Sequence, residues 1–260
     1  MKILFGPGGV GSPAVNGLKH LDKLGLEAAE IEFTYGVNFT NEYAVEVGKV
    51  AALLKISLSV HAPYYINLAS EDLTKRKASI KRILDSAERA HYLGARFVVF
   101  HPAFYGKMLH DEVYSIVKES ILGMQEIINS NKWNVVLCPE TAGKKTSFGG
   151  LDELLKLSKE TSCGVCVDFA HLRARNNGIV DYNKACEILS KFDSAKITSH
   201  FSGIVWGDGG EKNHIPTDSK EAKELITALI KHKISIRMIN ESPINVEDSL
   251  MCQRIFEKIT

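Results

Sequence analysis

The chain has 260 residues, of which 45% are hydrophobic and 24% are charged, and its formal net charge is +1. This length allows a hydrophobic core to form without disulfides, and the near-neutral charge excludes a protein that is basic over its whole surface. No apolar run approaches the roughly 20 residues that cross a bilayer, and the first residues lack a secretion signal. We therefore expect a soluble, unexported protein with no membrane partner.

Eight short apolar or β-branched runs alternate with amphipathic stretches along the chain. The predicted strands are residues 2–6, 29–34, 57–61, 96–101, 135–140, 164–168, 196–200 and 234–241. The predicted helices are residues 12–24, 41–54, 73–93, 111–130, 150–159, 181–191, 219–231 and 246–257. Strands that alternate with helices run parallel, and eight such units predict a single α/β domain over residues 1–260, a closed (β/α)8 TIM barrel. An open doubly wound sheet is the alternative.

The first loop, GPGGVGSP at residues 6–13, is rich in glycine and lies between a predicted strand and a predicted helix. Gly6, Gly8 and Gly11 satisfy the G-x-G-x-x-G pattern of dinucleotide-binding loops. The acidic residue that should hold a ribose would fall around Glu30 to Glu32, without other support, and Pro7 and Pro13 make the turn rigid. We therefore interpret this segment as a loop at the mouth of the barrel.

Five cysteines are scattered along the chain, which favours a reducing compartment over a disulfide framework. Cys163 and Cys166 have C-x-x-C spacing, but no second pair accompanies them. We interpret them as buried thiols, with redox or zinc use as the alternative.

Imidazoles and carboxylates end six successive predicted strands, from the third to the eighth. They are His61, His101, Glu140, Asp168, His200 and Glu241. The carboxyl ends of barrel strands meet at one rim, where active sites of this fold lie. Any one of these residues could be an ordinary core residue, but six in succession predict a shared site.

Mixed imidazole and carboxylate ligands suit zinc, manganese or iron, and they suit magnesium less well. His171 and His214 follow predicted strands in loops and indicate a further metal position. Cations in such a site can bind phosphate or sugar oxygens, while nearby carboxylates act as general bases. Phosphoester hydrolysis and aldose–ketose isomerisation both remain open on this reasoning.

Seven motifs, in the same order along nearly the whole chain, resemble the endonuclease IV family of apurinic/apyrimidinic endonucleases, within the xylose isomerase-like barrel superfamily. They are HAPYYINL (61–68), FHP (100–102), PETAG (139–143), GVCVDFAH (164–171), SHFSG (199–203), EKNH (211–214) and NES (240–242). The resemblance implies zinc, as two or three ions, with manganese as an alternative. The implied reaction is cleavage of the phosphodiester 5′ to an abasic site in double-stranded DNA, leaving a 3′-hydroxyl.

The resemblance also implies roles for individual residues. The first metal would be held by His61, His101 and Glu140, the second by Glu140, Asp168, His200 and Glu241, and the third by His171 and His214. Glu140, Glu241 and Asp168 would be catalytic, and Tyr64 and Asn67 would contact the DNA. We further expect a monomer that is cytoplasmic or nucleoid-associated.

The sequence departs from the family pattern at two places. Lys212 stands where the family has an aspartate, and Glu211 or Asp208 are candidate substitutes for the third metal. The loop after the second strand, TYGVNFTNEY, lacks the family's arginine, and its aromatic residues Tyr35, Phe39 and Tyr43 are candidates for stacking. Two other functions therefore remain as alternatives: a metal-dependent sugar isomerase or epimerase, and a barrel that binds damaged DNA without cutting it.

Overall fold

Twelve strands and nine helices alternate along the chain in the computed structural model, which describes residues 1–260. The strands are β1 (Ile3–Pro7), β2 (Ala28–Glu32), β3 (Ser57–His61), β4 (Phe97–Phe100), β5 (Ala103–Phe104), β6 (Val136–Pro139), β7 (Ser147–Phe148), β8 (Val165–Asp168), β9 (Ile197–Phe201), β10 (Gly203–Gly207), β11 (Gly210–Ile215) and β12 (Ile236–Asn240). The helices are α1 (Ala14–Lys23), α2 (Asn41–Leu54), α3 (Leu73–Leu93), α4 (His110–Ser130), α5 (Leu151–Thr161), α6 (Phe169–Arg175), α7 (Tyr182–Leu189), α8 (Ser219–Lys231) and α9 (Asn245–Ile259).

Eight of the strands run parallel and close into a barrel. Two four-stranded halves have the orders β1-β12-β9-β8 and β2-β3-β4-β6. Parallel bridges join the halves at both seams, between Gly8 and Glu30 and between Glu140 and Cys166. The predicted TIM barrel is therefore confirmed, and the open sheet is excluded.

Gly6 of the glycine-rich loop has a structural role at the first seam. A Cβ atom at this position would lie 1.7 Å from the carbonyl oxygen of Ala28, so only glycine lets β1 approach β2 so closely. The amide of Gly9 then donates to the carbonyl of Glu30 at 3.0 Å. Barrel closure thus explains part of the glycine pattern without a dinucleotide.

The hydrophobic core lies mainly between the barrel strands and the surrounding helices. A smaller cluster of Phe97, Val99, Cys138 and Cys166 packs separately from that main core. All five cysteines are buried and unpaired, which confirms the interpretation of Cys163 and Cys166 as buried thiols. No helix has the length and apolar character needed to cross a membrane.

Each predicted strand and helix corresponds to one of the observed elements, but the sequence analysis missed structure within the βα loops. Helix α6 begins directly after β8, strands β10 and β11 form an antiparallel hairpin after β9, and β5 pairs with β7. These additions lie next to the strand ends that carry the polar residues. They therefore shape the surroundings of the predicted site.

Candidate metal centre

The barrel brings all eight predicted metal ligands to one region. His61 and Asp168 end β3 and β8, His200 lies near the end of β9, and His101, Glu140 and Glu241 each follow a barrel strand directly. In three groups, the potential ligand atoms lie within 4.8 Å of one another: His61, His101 and Glu140; Glu140, Asp168, His200 and Glu241; and Asp168, His171 and His214. The first two groups share Glu140, so they can hold two neighbouring cations.

Glu140 is the central residue of this arrangement. It is completely buried, and its Oε2 atom lies 3.2 Å from His61 Nε2 and 3.5 Å from His101 Nε2. Its Oε1 atom lies 3.0 Å from His200 Nδ1. Burial alone would raise the pKa of Glu140, but its contacts with His101, His200 and His171 hold it well below its ordinary value. Glu140 is therefore an anion that lies among several imidazoles.

His61 and His171 are each held at Nδ1 by a backbone carbonyl and present Nε2 to a carboxylate. His61 Nδ1 lies 2.7 Å from the carbonyl oxygen of Ala62, and His171 Nδ1 lies 3.0 Å from that of Thr141. A carbonyl only accepts hydrogen bonds, so both Nδ1 atoms carry a proton and each Nε2 is left free to bind a metal. His214 Nδ1 lies 2.7 Å from the hydroxyl of Ser202, which orients this ring as well.

Protons are distributed unevenly over the metal-free site. Burial disfavours the charge of His61, but the hydrogen bond and charge of Glu140 raise its pKa to about 10. Burial lowers the pKa of His101 to about 4, although this ring faces the same carboxylate. Burial also raises the pKa of Glu241 to about 8, against the charge of His200. Because metal ligands must be deprotonated, cation binding is coupled to proton release here.

Four buried atoms of the site lack any hydrogen-bond partner. Oε1 of Glu30 and Nε2 of His200 face each other, whereas Oδ2 of Asp168 and Nε2 of His171 fit bound cations. The other carboxylate oxygen of Asp168 caps helix α6, accepting from the amide of His171 at 2.9 Å. Buried polar atoms are normally satisfied, so an orphaned acceptor among imidazoles and carboxylates fits a cation site. The distances from the Glu140 oxygens to the histidine nitrogens are 3.0 to 3.5 Å. Two ligand atoms of one tetrahedral zinc ion are about 3.3 Å apart, so these distances fit zinc.

The sequence analysis missed two acidic residues, Glu30 and Glu32, as parts of the site. Glu30 is completely buried on β2; its Oε1 lies 2.9 Å from His200 Nε2, and its Oε2 accepts from the hydroxyl of Ser59 at 2.7 Å. Glu32 and Glu30 also form an acidic group with Glu241. The sequence does contain a signal, because Glu30 and Glu32 are charged residues at alternate positions of an apolar strand. The prediction considered only the residues at strand ends and therefore left them out.

The two predicted DNA contacts occupy different positions in the loop after β3. Tyr64 is 58% exposed, and its ring centroid lies 6.2 Å from that of His61. Asn67 is only partly exposed, and its side-chain oxygen accepts hydrogen bonds from the amides of Ala69 and Phe104. Asn67 therefore joins the loops after β3 and β4, while Tyr64 is free to contact a ligand.

Four exposed aromatic rings lie in loops at the end of the barrel that carries the metal ligands. Tyr35, Tyr64, Tyr65 and Phe104, which we call the aromatic rim, come from the loops after β2, β3 and β4 and are 47% to 85% exposed. Phe39 and Tyr43, the other stacking candidates, do not belong to it. Phe39 packs against Phe33 and Tyr43, and the hydroxyl of Tyr43 accepts from the amide of Ala14.

A cavity of about 280 Å³ opens beside His101, between the aromatic rim and the β10–β11 hairpin. Its lining includes Tyr64, Phe104, Lys144 and Glu211. Lys144 is exposed and provides a positive charge next to the metal ligands. The cavity therefore offers a ligand apolar side chains, one cationic group and one carboxylate.

Comparisons with known proteins agree with this architecture. A family model described as xylose isomerase-like TIM barrel matches residues 18–243. An uncharacterized protein of Methanocaldococcus jannaschii is 34% identical over 270 aligned residues, which cover 99% of this chain and 98% of that protein. A probable endonuclease 4 of Mycoplasma pneumoniae is 31% identical over 159 residues, which cover 59% of this chain and 53% of that protein. The match thus spans about half of this endonuclease 4 relative, and it confirms the resemblance drawn from the motifs.

Solved structures with the same fold have different names. Endonuclease IV from Thermus thermophilus superposes with a TM-score of 0.73 at 19% identity, covering 99% of this chain and 98% of that chain. A D-tagatose 3-epimerase-like protein also reaches 0.73, at 18% identity, covering 99% and 96%. At these identities, the likeness establishes the fold alone.

Proposed function

This chain belongs to the xylose isomerase-like TIM barrel family, and we propose that it is a metal-dependent endonuclease that cleaves double-stranded DNA at abasic sites. The cleaved bond is the phosphodiester 5′ to the abasic site, and the product carries a 3′-hydroxyl. The relatives named endonuclease 4 support this assignment, as does the ring of imidazoles and carboxylates. The residues fit two or three zinc ions, and manganese is the alternative.

Cations bound at this centre would neutralise phosphate charge and lower the pKa of water. Glu140, shared between the first two ligand groups, fixes their relative position, and the Nδ1 contacts of the histidines fix the direction of each Nε2. Asp168 and Glu241 contribute the remaining carboxylates of the second group. Glu241 is the least buried carboxylate of that group and is our candidate for accepting a proton from the attacking water.

The aromatic rim is the observation that favours DNA over a small sugar. Its four exposed rings come from three successive loops at the same end of the barrel as the metal ligands. Aromatic rings stack on bases regardless of sequence, and each stacked base contributes about 1–3 kcal/mol. We assign Tyr64 to contact with DNA at the lesion, and Lys144 to contact with a phosphate.

Epimerisation of a small sugar remains the second candidate, because the cavity beside His101 is close to the size of a small-ligand site. A DNA-binding barrel that does not cut is the third. The three functions share the barrel but differ in what happens to a DNA duplex. A single substrate therefore separates them.

The test uses a duplex with one synthetic abasic site and the purified protein with added zinc. We expect a single nick 5′ to the site, a product that a polymerase extends, loss of nicking with a chelator and recovery with fresh zinc. Glu140→Gln removes the shared ligand charge and is expected to reduce nicking by more than about a hundredfold. Glu27→Gln, an exposed carboxylate paired with Lys2, is the matched control and should cut like the wild type.

Two outcomes would overturn the proposal. Tight binding to the abasic duplex without nicking, at any divalent metal tested, would identify a non-cutting DNA-binding protein. Conversion of a ketohexose to its epimer, without binding or nicking of DNA, would identify an epimerase. Thermal melting of Glu140→Gln in chelator establishes whether that variant is folded.

A further inference from the structure

We infer that Glu211 completes the third cation site, together with His171 and His214, and so replaces the carboxylate that is missing at Lys212. The inference rests on the metal use of the proposed function, but it concerns a residue outside the family pattern. Four features of the β10–β11 hairpin and its neighbours carry it: the strand register, the contact with His171, the space at Gly143 and the position of Lys212.

The hairpin contains a β-bulge at Lys212. Ile204 pairs with His214 and Val205 with Asn213, but Trp206 then pairs with Glu211, so Lys212 has no partner. In a regular strand, residues two apart share a face, which would put position 212 on the side of His214. The extra residue shifts this alternation by one position. Glu211 therefore takes the face that an aspartate at position 212 would otherwise occupy.

Glu211 contacts the free nitrogen of His171. Its Oε2 lies 3.3 Å from His171 Nε2, a buried atom without any hydrogen-bond partner. Nδ1 of His171 donates to the carbonyl of Thr141, so Nε2 is the ring nitrogen that faces Glu211 and is available to a cation. The distance between Oε2 and Nε2 equals the edge of about 3.3 Å expected for two ligands of one tetrahedral zinc.

Gly143 provides the space for this contact. A Cβ atom there would lie 2.4 Å from Glu211 Oε2 and 2.9 Å from His171 Cδ2, so any larger residue would force the two side chains to move. The backbone holds the hairpin against the same loop, since the amide of Glu211 donates to the carbonyl of Gly143 at 3.1 Å and that of Lys145 to Gly209 at 3.2 Å. The position of Glu211 is therefore fixed by main-chain contacts.

Neither of the other candidates near this position is a ligand. The side chain of Lys212 lies against Gly207, where an added Cβ would be 2.9 Å from the Cε of the lysine. Its ammonium group is positively charged and does not bind a cation. Asp208 lies in the exposed turn between the two strands. His214 presents a ligand atom within 4.8 Å of those of His171 and Asp168, and Glu211 joins this group through its contact with His171.

Metal content tests the assignment without reference to activity. Each protein is stripped with chelator, reloaded with zinc, dialysed and analysed by elemental mass spectrometry. We expect three zinc ions per wild-type chain and two per Glu211→Gln chain. Asp208→Asn and Lys212→Ala, on the same hairpin, are the matched controls and should retain three. Gly143→Ala removes no ligand but should also lose the third ion, because the added methyl displaces Glu211.

Cobalt supplies a second measurement, since the visible absorption of Co²⁺ reports the number and geometry of its ligands. Glu211→Gln should lose the absorption of one cobalt, and Glu211→Asp should restore part of it. The inference would be overturned if Glu211→Gln held three zinc ions or if Asp208→Asn lost one. It would also be overturned if the wild-type chain held only two zinc ions. A wild type that holds two ions and nicks abasic DNA leaves the proposed function standing, whereas three ions without nicking would overturn the function alone.

Discussion

Glu30→Gln tests whether a buried carboxylate behind His200 strengthens metal binding. Glu30 Oε1 lies 2.9 Å from Nε2 of His200, while Nδ1 on the opposite side of the ring faces Glu140 and Glu241. The Glu30–His200 pair lies within ion-pair distance but outside hydrogen-bond geometry, so its interaction is mainly one of charge. Burial would raise the pKa of Glu30, but His200 lowers it below its ordinary value. Glutamine keeps the volume of the side chain and removes the charge.

The expected magnitude follows from Coulomb's law. A cation on Nδ1 would lie about 7 Å from the Glu30 carboxylate, adding the ring and a metal–nitrogen bond to the 2.9 Å contact. A unit charge at that distance attracts a divalent ion by about 1 kcal/mol at the dielectric of water and about 5 kcal/mol at an effective dielectric of 20. Loss of Glu30 also lowers the pKa of His200, so protons compete less for the ring. We therefore expect the affinity for zinc to fall about tenfold in Glu30→Gln. This is the lower end of the roughly 10- to 100-fold loss that follows when a residue supporting a metal ligand is changed.

Competition with a chromophoric chelator measures the zinc dissociation constant directly. Glu27→Gln is the matched control, because Glu27 carries the same charge just before β2, exposed and 2.8 Å from Lys2. The control should bind zinc like the wild type. Glu30→Gln within twofold of the wild type would refute the electrostatic argument, and so would an equal loss in Glu27→Gln. Melting curves in chelator check that both variants fold.

Three further predictions concern DNA binding and the linkage of stability to pH. Lys144→Ala should reduce the slope of log affinity for DNA against log salt by about one, whereas Lys81→Ala, on α3, should not; equal slopes would contradict a phosphate contact. Tyr64→Ala should weaken binding to an abasic duplex about tenfold in fluorescence anisotropy if its ring stacks, and unchanged binding would exclude stacking. Without metal, the melting temperature should fall as pH rises from about 6.5 to 8. Folding raises the pKa of His61 to about 10 and that of Glu241 to about 8, so the folded state binds more protons than the unfolded state in this range. Saturating zinc should remove this slope, and a flat metal-free profile would contradict the proton assignment.

The sequence predicted the barrel and its polar rim because both depend on short-range patterns. Alternating strand and helix periods determine a parallel barrel, and its closure places the ends of all eight strands together. Thus His61 and Glu241, 180 positions apart in the chain, belong to ligand groups that share Glu140. The residues that could not be predicted in this way depend on tertiary detail. Glu30 points inward from within a strand, and its role becomes clear only when β2 lies near His200.

The contributions of the βα loops were the least predictable part. A β-bulge is a matter of register between two particular strands, and nothing in EKNH shows that Lys212 lacks a partner. Likewise, TYGVNFTNEY contains three aromatic residues, but only Tyr35 remains exposed, since Phe39 and Tyr43 are held by contacts from α2 and the core. Packing against distant elements decided these outcomes, so local sequence did not indicate them.

The loops, rather than the barrel, distinguish a DNA substrate from a sugar. Endonuclease IV of Thermus thermophilus and the epimerase-like protein match the barrel equally well, with TM-scores of 0.73 each. A ligand that fits within the 280 Å³ cavity would contact Tyr64 and Phe104, which line it, but would leave Tyr35 and Tyr65 in solvent at 85% and 63% exposure. Only a larger ligand lying across the ends of β2, β3 and β4 would cover these two rings as well. Covering apolar surface contributes about 25 cal/mol per Å², so the exposed rings favour an extended substrate such as a DNA duplex over a free monosaccharide.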